Sequence, residues 1–224
     1  MKNISIYDGN TLPPEIDPGF IDAKAMQKLS YGLFVLTAAQ DGRDNGCIIN
    51  TAAQLTTAPA RISICVNKGN LTHDMILATK KFNISVLSEK AGFDIFTRFG
   101  FASGRNTDKF DGFKSVARGV NGVLVITAGT NSFISAEVSA AIDCGTHTLF
   151  IADVTCSGVL NQDRSATYQY YFDHIKPKPA PAPAEQKKGY VCKICGYVYE
   201  GETLPPDFVC PTCKHGAEDF EPRA

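Results

Sequence analysis

Two cysteine pairs of identical spacing, Cys192/Cys195 and Cys210/Cys213, stand in the last 36 residues of a 224-residue chain, with fourteen residues between them. Each Cys-x-x-Cys turn presents two thiolates on one side of a tight loop. Two such turns facing each other enclose a tetrahedral cage of four sulfurs, which suits zinc or a single iron. A segment this short cannot bury enough surface to fold unaided, so the metal is expected to supply folding free energy as well. Its surroundings favour iron: Tyr190, Tyr197, Tyr199, Phe208 and Phe220 make an aromatic shell, and Gly196 and Pro211 follow ligand cysteines. Small or fixed backbone there lets main-chain N–H groups aim at the sulfurs, a lever on the potential of iron–thiolate sites.

The sharpest break in composition is KPKPAPAPAEQKK, residues 176–188, where proline alternates with alanine or lysine and nothing apolar is large enough to pack. Such a run favours polyproline II at about 3.1 Å per residue, enough to hold two bodies up to roughly 40 Å apart. The expected division is residues 1–175, a linker 176–188 that is either a passive spacer or a tether, and a small domain 189–224. A formal charge of −1 and 44% hydrophobic residues leave no basic excess for nucleic acid. The opening MKNISIYDGN has no apolar run behind its lysine, and no stretch reaches the roughly 18 apolar residues of a membrane span. The expected setting is therefore the cytoplasm, away from the membrane, where the eight cysteines stay reduced.

Residues 1–175 read mainly as strands. In SFISAEVSAAID, Ile134, Ala136, Val138, Ala140 and Ile142 alternate with their neighbours and predict one buried face. RISICVN (Ile62, Ile64, Val66) and FNISVL (Phe82, Ile84, Val86) alternate similarly, while YGLFVLTA and TLFIADV are continuously apolar and suit central strands. Short helices are expected at 22–29, 71–79 and 91–99. Many strands, few helices and no strand–helix alternation predict a mainly β fold, a barrel or sandwich rather than a doubly wound sheet. Cys47, Cys65, Cys144 and Cys156 lack ligand spacing and read as small core residues. His73, His174 and His215 have no evident partners.

YVCKICGYVYE and LPPDFVCPTCKHGAEDFE resemble rubredoxin, the one-iron electron carrier, across residues 189–221. The interval between the cysteine pairs is shorter than in typical rubredoxins, and Phe208 stands where they usually carry tryptophan. The resemblance implies one iron on Cys192, Cys195, Cys210 and Cys213.

The larger domain has neither a GxGxxG opening a helix nor a GxxxxGK[ST], so neither a Rossmann nor a P-loop module is expected. GCIINTAAQLTTAPA (46–60) is rich in small and polar side chains, as a closely approaching planar ligand needs. In ICVNKGNLTHDMI, Asn67, Lys68, Asn70 and Thr72 precede or open a helix, where free N–H groups and an ammonium suit a phosphate; Thr72 is equally a plain N-cap and Lys68 a solvated charge. Together these stretches resemble the flavin reductase-like family, the FMN-binding split β-barrels, over roughly residues 20–160. The family pattern falls on Gly46, Asn50, Thr51, Thr56 and Pro59, and FNISVLSE, FGFASGRNTDKF and CGTHTLFIADV also have counterparts there. The resemblance implies that Asn50, Thr51, Gln54, Leu55 and Thr56 line the isoalloxazine and ribityl chain, and that Asn67, Lys68, Asn70, Leu71 and Thr72 surround the phosphate. Arg98 either contacts a phosphate or closes a helix. His147 falls near the flavin edge as the catalytic candidate, or is an ordinary half-buried side chain at a strand start. Ala52, Gln54 and Ala60 depart from the family, which often has an aromatic, a small hydroxyl and a second proline there.

The fusion looks like the high-molecular-weight rubredoxins of anaerobic bacteria. That resemblance implies a homodimer in which NAD(P)H reduces FMN, FMN passes single electrons to the iron, and a flavodiiron protein reducing oxygen or nitric oxide accepts them. Two other functions fit the same residues. One is a carrier reduced by another protein, with no nicotinamide site; the other is a flavin reductase with a zinc ribbon as a docking handle.

Overall fold

A computed structural model describes residues 23–177, apart from Gln27, and residues 189–223. Of the linker read over 176–188, residues 178–188 lie outside the described residues, while Lys176 caps the π turn that precedes it. The larger part contains β1 (Phe34–Gln40), β2 (Arg43–Ile49), β3 (Ala52–Thr57), β4 (Ala60–Asn67), β5 (Lys81–Leu87), β6 (Val116–Arg118), β7 (Leu124–Ile126), β8 (Thr130–Asp143) and β9 (His147–Val159). Its helices are α1 (Ala23–Met26), α2 (Leu71–Thr79), α3 (Phe93–Phe96) and α4 (Tyr168–Tyr170), and the last two run on as π turns at Thr97–Phe101 and Tyr171–Ile175.

Seven strands form one antiparallel sheet in the order β2-β1-β5-β8-β9-β4-β3, with β6 and β7 as a separate hairpin. The β1–β2 hairpin turns at Asp41-Gly42, both with positive φ, the backbone that a two-residue turn between twisted strands requires. β2 and β3 lie at opposite edges of the sheet, yet only Asn50 and Thr51 separate them in the chain. Two residues reach about 10 Å at most. The sheet must therefore curl until its edges nearly meet, a barrel split at that point. Leu36, Cys47, Ile64, Phe82, Ala136 and Phe150 share the resulting core, and Met75 and Ile76 of α2 close it.

β4 buries Ile62, Ile64 and Val66 as its alternation predicts, and α2 spans residues 71–79. β5 differs from the one-faced reading, because Asn83 and Ser85 are buried along with Phe82 and Ile84. The β6–β7 hairpin covers that outer face through hydrogen bonds, Asn83 Nδ2 to the Val123 carbonyl and the Ile126 N–H to Ser85 Oγ. β8 also departs from the expected pattern: Ala136 is buried but Ala140 and Ile142 are exposed. Irregular pairing with β9 after Ser135 and again after Val138 breaks the period of two, and the strand runs past the core. Of the four cysteines expected in the core, Cys47 is buried, Cys65 and Cys156 are half-buried and Cys144 is exposed in the β8–β9 turn.

The small part has β10 (Tyr190–Cys192), β11 (Val198–Tyr199) and β12 (Phe220–Pro222) in the order β11-β10-β12. Partly buried Phe208 packs against its core of Cys192, Cys210 and Phe220, its ring centroid 4.7 Å from that of Tyr199 and 5.3 Å from that of Phe220.

Phe150 is fully buried against the His73 ring, 5.7 Å away. Phe150→Ala should cost about 3–5 kcal/mol, read as a lower urea midpoint at unchanged slope.

Candidate metal centre and adjoining cleft

The two cysteine loops repeat one backbone design. Gly196 N–H donates to the Cys192 carbonyl and Lys214 N–H to the Cys210 carbonyl, and both Gly196 and Lys214 have positive φ. Cys192 N–H reaches the Tyr197 carbonyl as Cys210 N–H reaches that of His215. The loops thus aim their thiols at each other. The sulfurs of Cys192 and Cys213 lie 3.5 Å apart, those of Cys195 and Cys210 likewise, and all four lie within 4.8 Å of one another. A metal with bonds of about 2.3 Å to each sulfur fits that spacing.

Backbone N–H groups support the sulfurs, as the small residues beside them predict: Tyr197 faces Cys195, Thr212 and Cys213 face Cys210, and His215 faces Cys213. Burial pushes the Cys195 thiol up to about 11 and raises Cys213 as well. Burial opposes ionisation of Cys210 too, but the two N–H donors and its neighbouring thiols hold that group below the usual range. Metal must therefore displace protons at neutral pH, and its affinity falls as pH falls.

The cage abuts the barrel. Cys195, Thr212 and Cys213 form one wall of an open cleft whose other walls include Ile48, Asn50, Phe96, Phe101 and Tyr171. A second cleft adjoins it through Gly100, Phe101, Thr212 and Cys213 and is lined by residues that include Asn67, Asn70, Leu71, Thr72 and Lys109. One end of this groove is apolar and aromatic, and the other is amide, hydroxyl and ammonium. That donor set fits FMN, a planar ring with an anionic tail.

Asn70 N-caps α2 without a side-chain bond, while Thr72, in the first turn, accepts from Asn45 Nδ2 at 2.9 Å. Thr51 donates to the Cys65 carbonyl at 2.7 Å and ties the end of the crossing to β4. Other expected site residues lie elsewhere. Lys68 is outside the groove lining and pairs with Asp143 at 2.6 Å. Arg98 donates to the carbonyls of Lys109 and Asp111 and lies over the Phe113 ring, so it holds a loop. Gln54 and Thr56 line a different cleft with Phe34 and Ile134, and Leu55 is exposed. His147 pairs with Thr146 outside all these clefts, its pKa lowered by burial and then by His73.

Lys109 escaped the sequence reading. Only 4% exposed, it donates to the carbonyls of Gly46 at 2.9 Å and Phe99 at 3.1 Å, and burial lowers its pKa. The signal available was its place in FGFASGRNTDKF, but a lone lysine there looks solvated. Gly46 itself is tightly packed: a Cβ would lie 3.2 Å from both the Leu36 carbonyl and the Phe99 ring. His73 has partners after all, Thr148 at 2.8 Å and Asp74 at 3.1 Å. His174 packs on Tyr170, and His215 Nδ1 lies 3.1 Å from the Cys213 carbonyl.

Cys210→Ser removes a buried ligand from a core built on the cage. The variant should lose its metal and the near-UV signal of residues 189–223, checked by metal analysis and circular dichroism.

Residues 26–178 match the flavin reductase-like domain family and residues 190–221 the rubrerythrin, rubredoxin-like domain. The chain is 36% identical to a high molecular weight rubredoxin of Moorella thermoacetica, over 90% of this chain and 99% of that one. It is 37% identical to a ferric-chelate reductase (NAD(P)H) of Archaeoglobus fulgidus, over 70% of this chain and 92% of that one. An NADH:FAD oxidoreductase of Streptomyces globisporus shares the fold at a TM-score of 0.58 and 22% identity, over 69% of this chain and 93% of that one. Among the described residues no helix is long and apolar enough to cross a membrane. The chain belongs to the high-molecular-weight rubredoxin family, a flavin reductase-like domain and a rubredoxin-like domain in one polypeptide.

Proposed function

We propose that this protein is an NAD(P)H-dependent flavin–iron electron-transfer enzyme in which the barrel cleft feeds the four-cysteine centre directly. The observation that carries this reading is that Cys195 and Cys213 line the same cleft as Asn50, Phe101 and Tyr171. When bound, FMN would supply the conversion of a two-electron hydride into single electrons, and iron the one-electron carrier. Asn50 and the aromatic wall would position the flavin ring. Lys109, Asn67, Asn70 and Thr72 would hold its anionic end, with the lysine already desolvated and so electrostatically effective. Cys192, Cys195, Cys210 and Cys213 would hold the iron, their facing N–H groups favouring the reduced, more negative centre.

A homodimer that covers the edge strand β3, where Leu55 is exposed, is part of the same proposal. Gln54, Leu55 and Thr56 would then reach a flavin only across that interface, and a flavodiiron-type protein is the proposed acceptor.

An anaerobic visible spectrum tests the path. NADH or NADPH should bleach both the flavin and the ferric–thiolate bands; flavin bleaching with the iron bands intact overturns it, and neither band responding means that another protein reduces this one. Lys109→Met should weaken FMN binding about 10- to 100-fold by fluorescence titration, the worth of one charge-assisted hydrogen bond, while Lys68→Met changes it little.

A further inference from the structure

The aromatic run YQYYFDHI, residues 168–175, precedes the linker and contributes more than Tyr171 to the cleft wall. It forms α4 and the π turn after it. Tyr171 anchors this turn to the barrel, 7% exposed with its ring 4.4 Å from Phe96. Tyr168 and Phe172 pack edge-to-face at 4.9 Å, and both line the cleft walled by Cys195 and Cys213. Lys176 closes the turn. Its Nζ lies 4.9 Å from the Phe172 ring centroid and donates to the Cys195 carbonyl at 2.5 Å. Gly196 leaves room for that approach, since a Cβ there would stand 3.3 Å from the ammonium.

We propose that Tyr168, Tyr171, Phe172 and Lys176 form an internal docking site for the four-cysteine domain of the same chain, with the aromatic turn as floor and the Lys176 ammonium as latch. The inference rests on the reading that the barrel cleft feeds this centre. Charge complementarity selects the occupant: four thiolates with iron make an anion, and the ammonium sits at the rim of that anion. The charge is more negative with ferrous than with ferric iron, so the latch grips the reduced centre harder and, by linkage, raises its potential. Only the eleven residues 178–188 join the floor to its occupant. A short tether gives an effective concentration on the order of millimolar, so one weak polar contact sets the docked fraction and release to an outside acceptor stays easy.

The test uses full-length protein carrying 3-fluorotyrosine, with either ferric iron or zinc in the cage, read by fluorine NMR. The Tyr168 resonance is assigned by its loss in Tyr168→Phe. Paramagnetic iron should broaden it beyond detection in the parent protein, and zinc should leave it sharp. In Lys176→Gln the docked-to-free ratio should fall about tenfold, restoring the line in the iron form and lowering the iron potential, while Lys176→Arg keeps both near the parent values. A Tyr168 line as sharp with iron as with zinc overturns the docking. A line that stays broadened in Lys176→Gln overturns the latch. If reduced flavin leaves the iron ferric while Tyr168 remains broadened, the docking stands and the electron path of the preceding section falls.

Discussion

Asn50 and Thr51 carry the chain from one edge strand of the sheet to the other, and that crossing governs the rest of the larger domain. Because two residues span so little, the sheet cannot lie open, and its inner faces meet in one core. Thr51 ties the end of the crossing to β4 twice, its hydroxyl donating to the Cys65 carbonyl and its own carbonyl accepting from the Cys65 N–H. Asn50 is left in the wall of the cleft at the split. Thr37, Asn83 and Ser85 are buried only because a short hairpin supplies hydrogen-bond partners on the outer face.

The groove beside that split grades from aromatic to polar over a short distance. Its polar end contains a lysine that two backbone carbonyls satisfy and no carboxylate neutralises among the described residues, so the cavity carries uncompensated positive charge. Arg98 serves this end indirectly by bonding the carbonyls of Lys109 and Asp111. At the aromatic end the cage forms the wall, so the fusion of two domains has a physical expression beyond a shared gene product: the cysteine loops complete a cleft that the barrel begins.

The readable parts of this chain were those whose signal is local. Cysteine spacing encodes the cage because each loop is closed by its own backbone bonds, and α2 is legible because Asn70 and the residues after it carry their own start signal. The strands with clean alternation, such as β4, also appear as written. β8 did not, because irregular pairing resets the side-chain period midway and no residue of β8 announces it. In the sequence Lys68 is either an anion-binding cation or a solvated charge, and Lys109 is not singled out. Lys68 pairs with Asp143 at the surface and Lys109 lies buried in the groove, since strands and loops distant in sequence decide which ammonium loses its water.

From its sequence alone the chain determined a mainly β domain, a proline-rich break, a four-thiolate metal site and the resemblance that names its cofactors, because each depends on residue type and spacing along the backbone. Only the tertiary structure decided that Lys109 lies buried in the groove, that Gln54 and Thr56 face a different cleft while Leu55 is exposed, and that Tyr168, Phe172 and Lys176 share a cleft with the cage. Those are contacts between segments far apart in the chain, set by how the sheet curls and where the small domain rests, and no local pattern carries them.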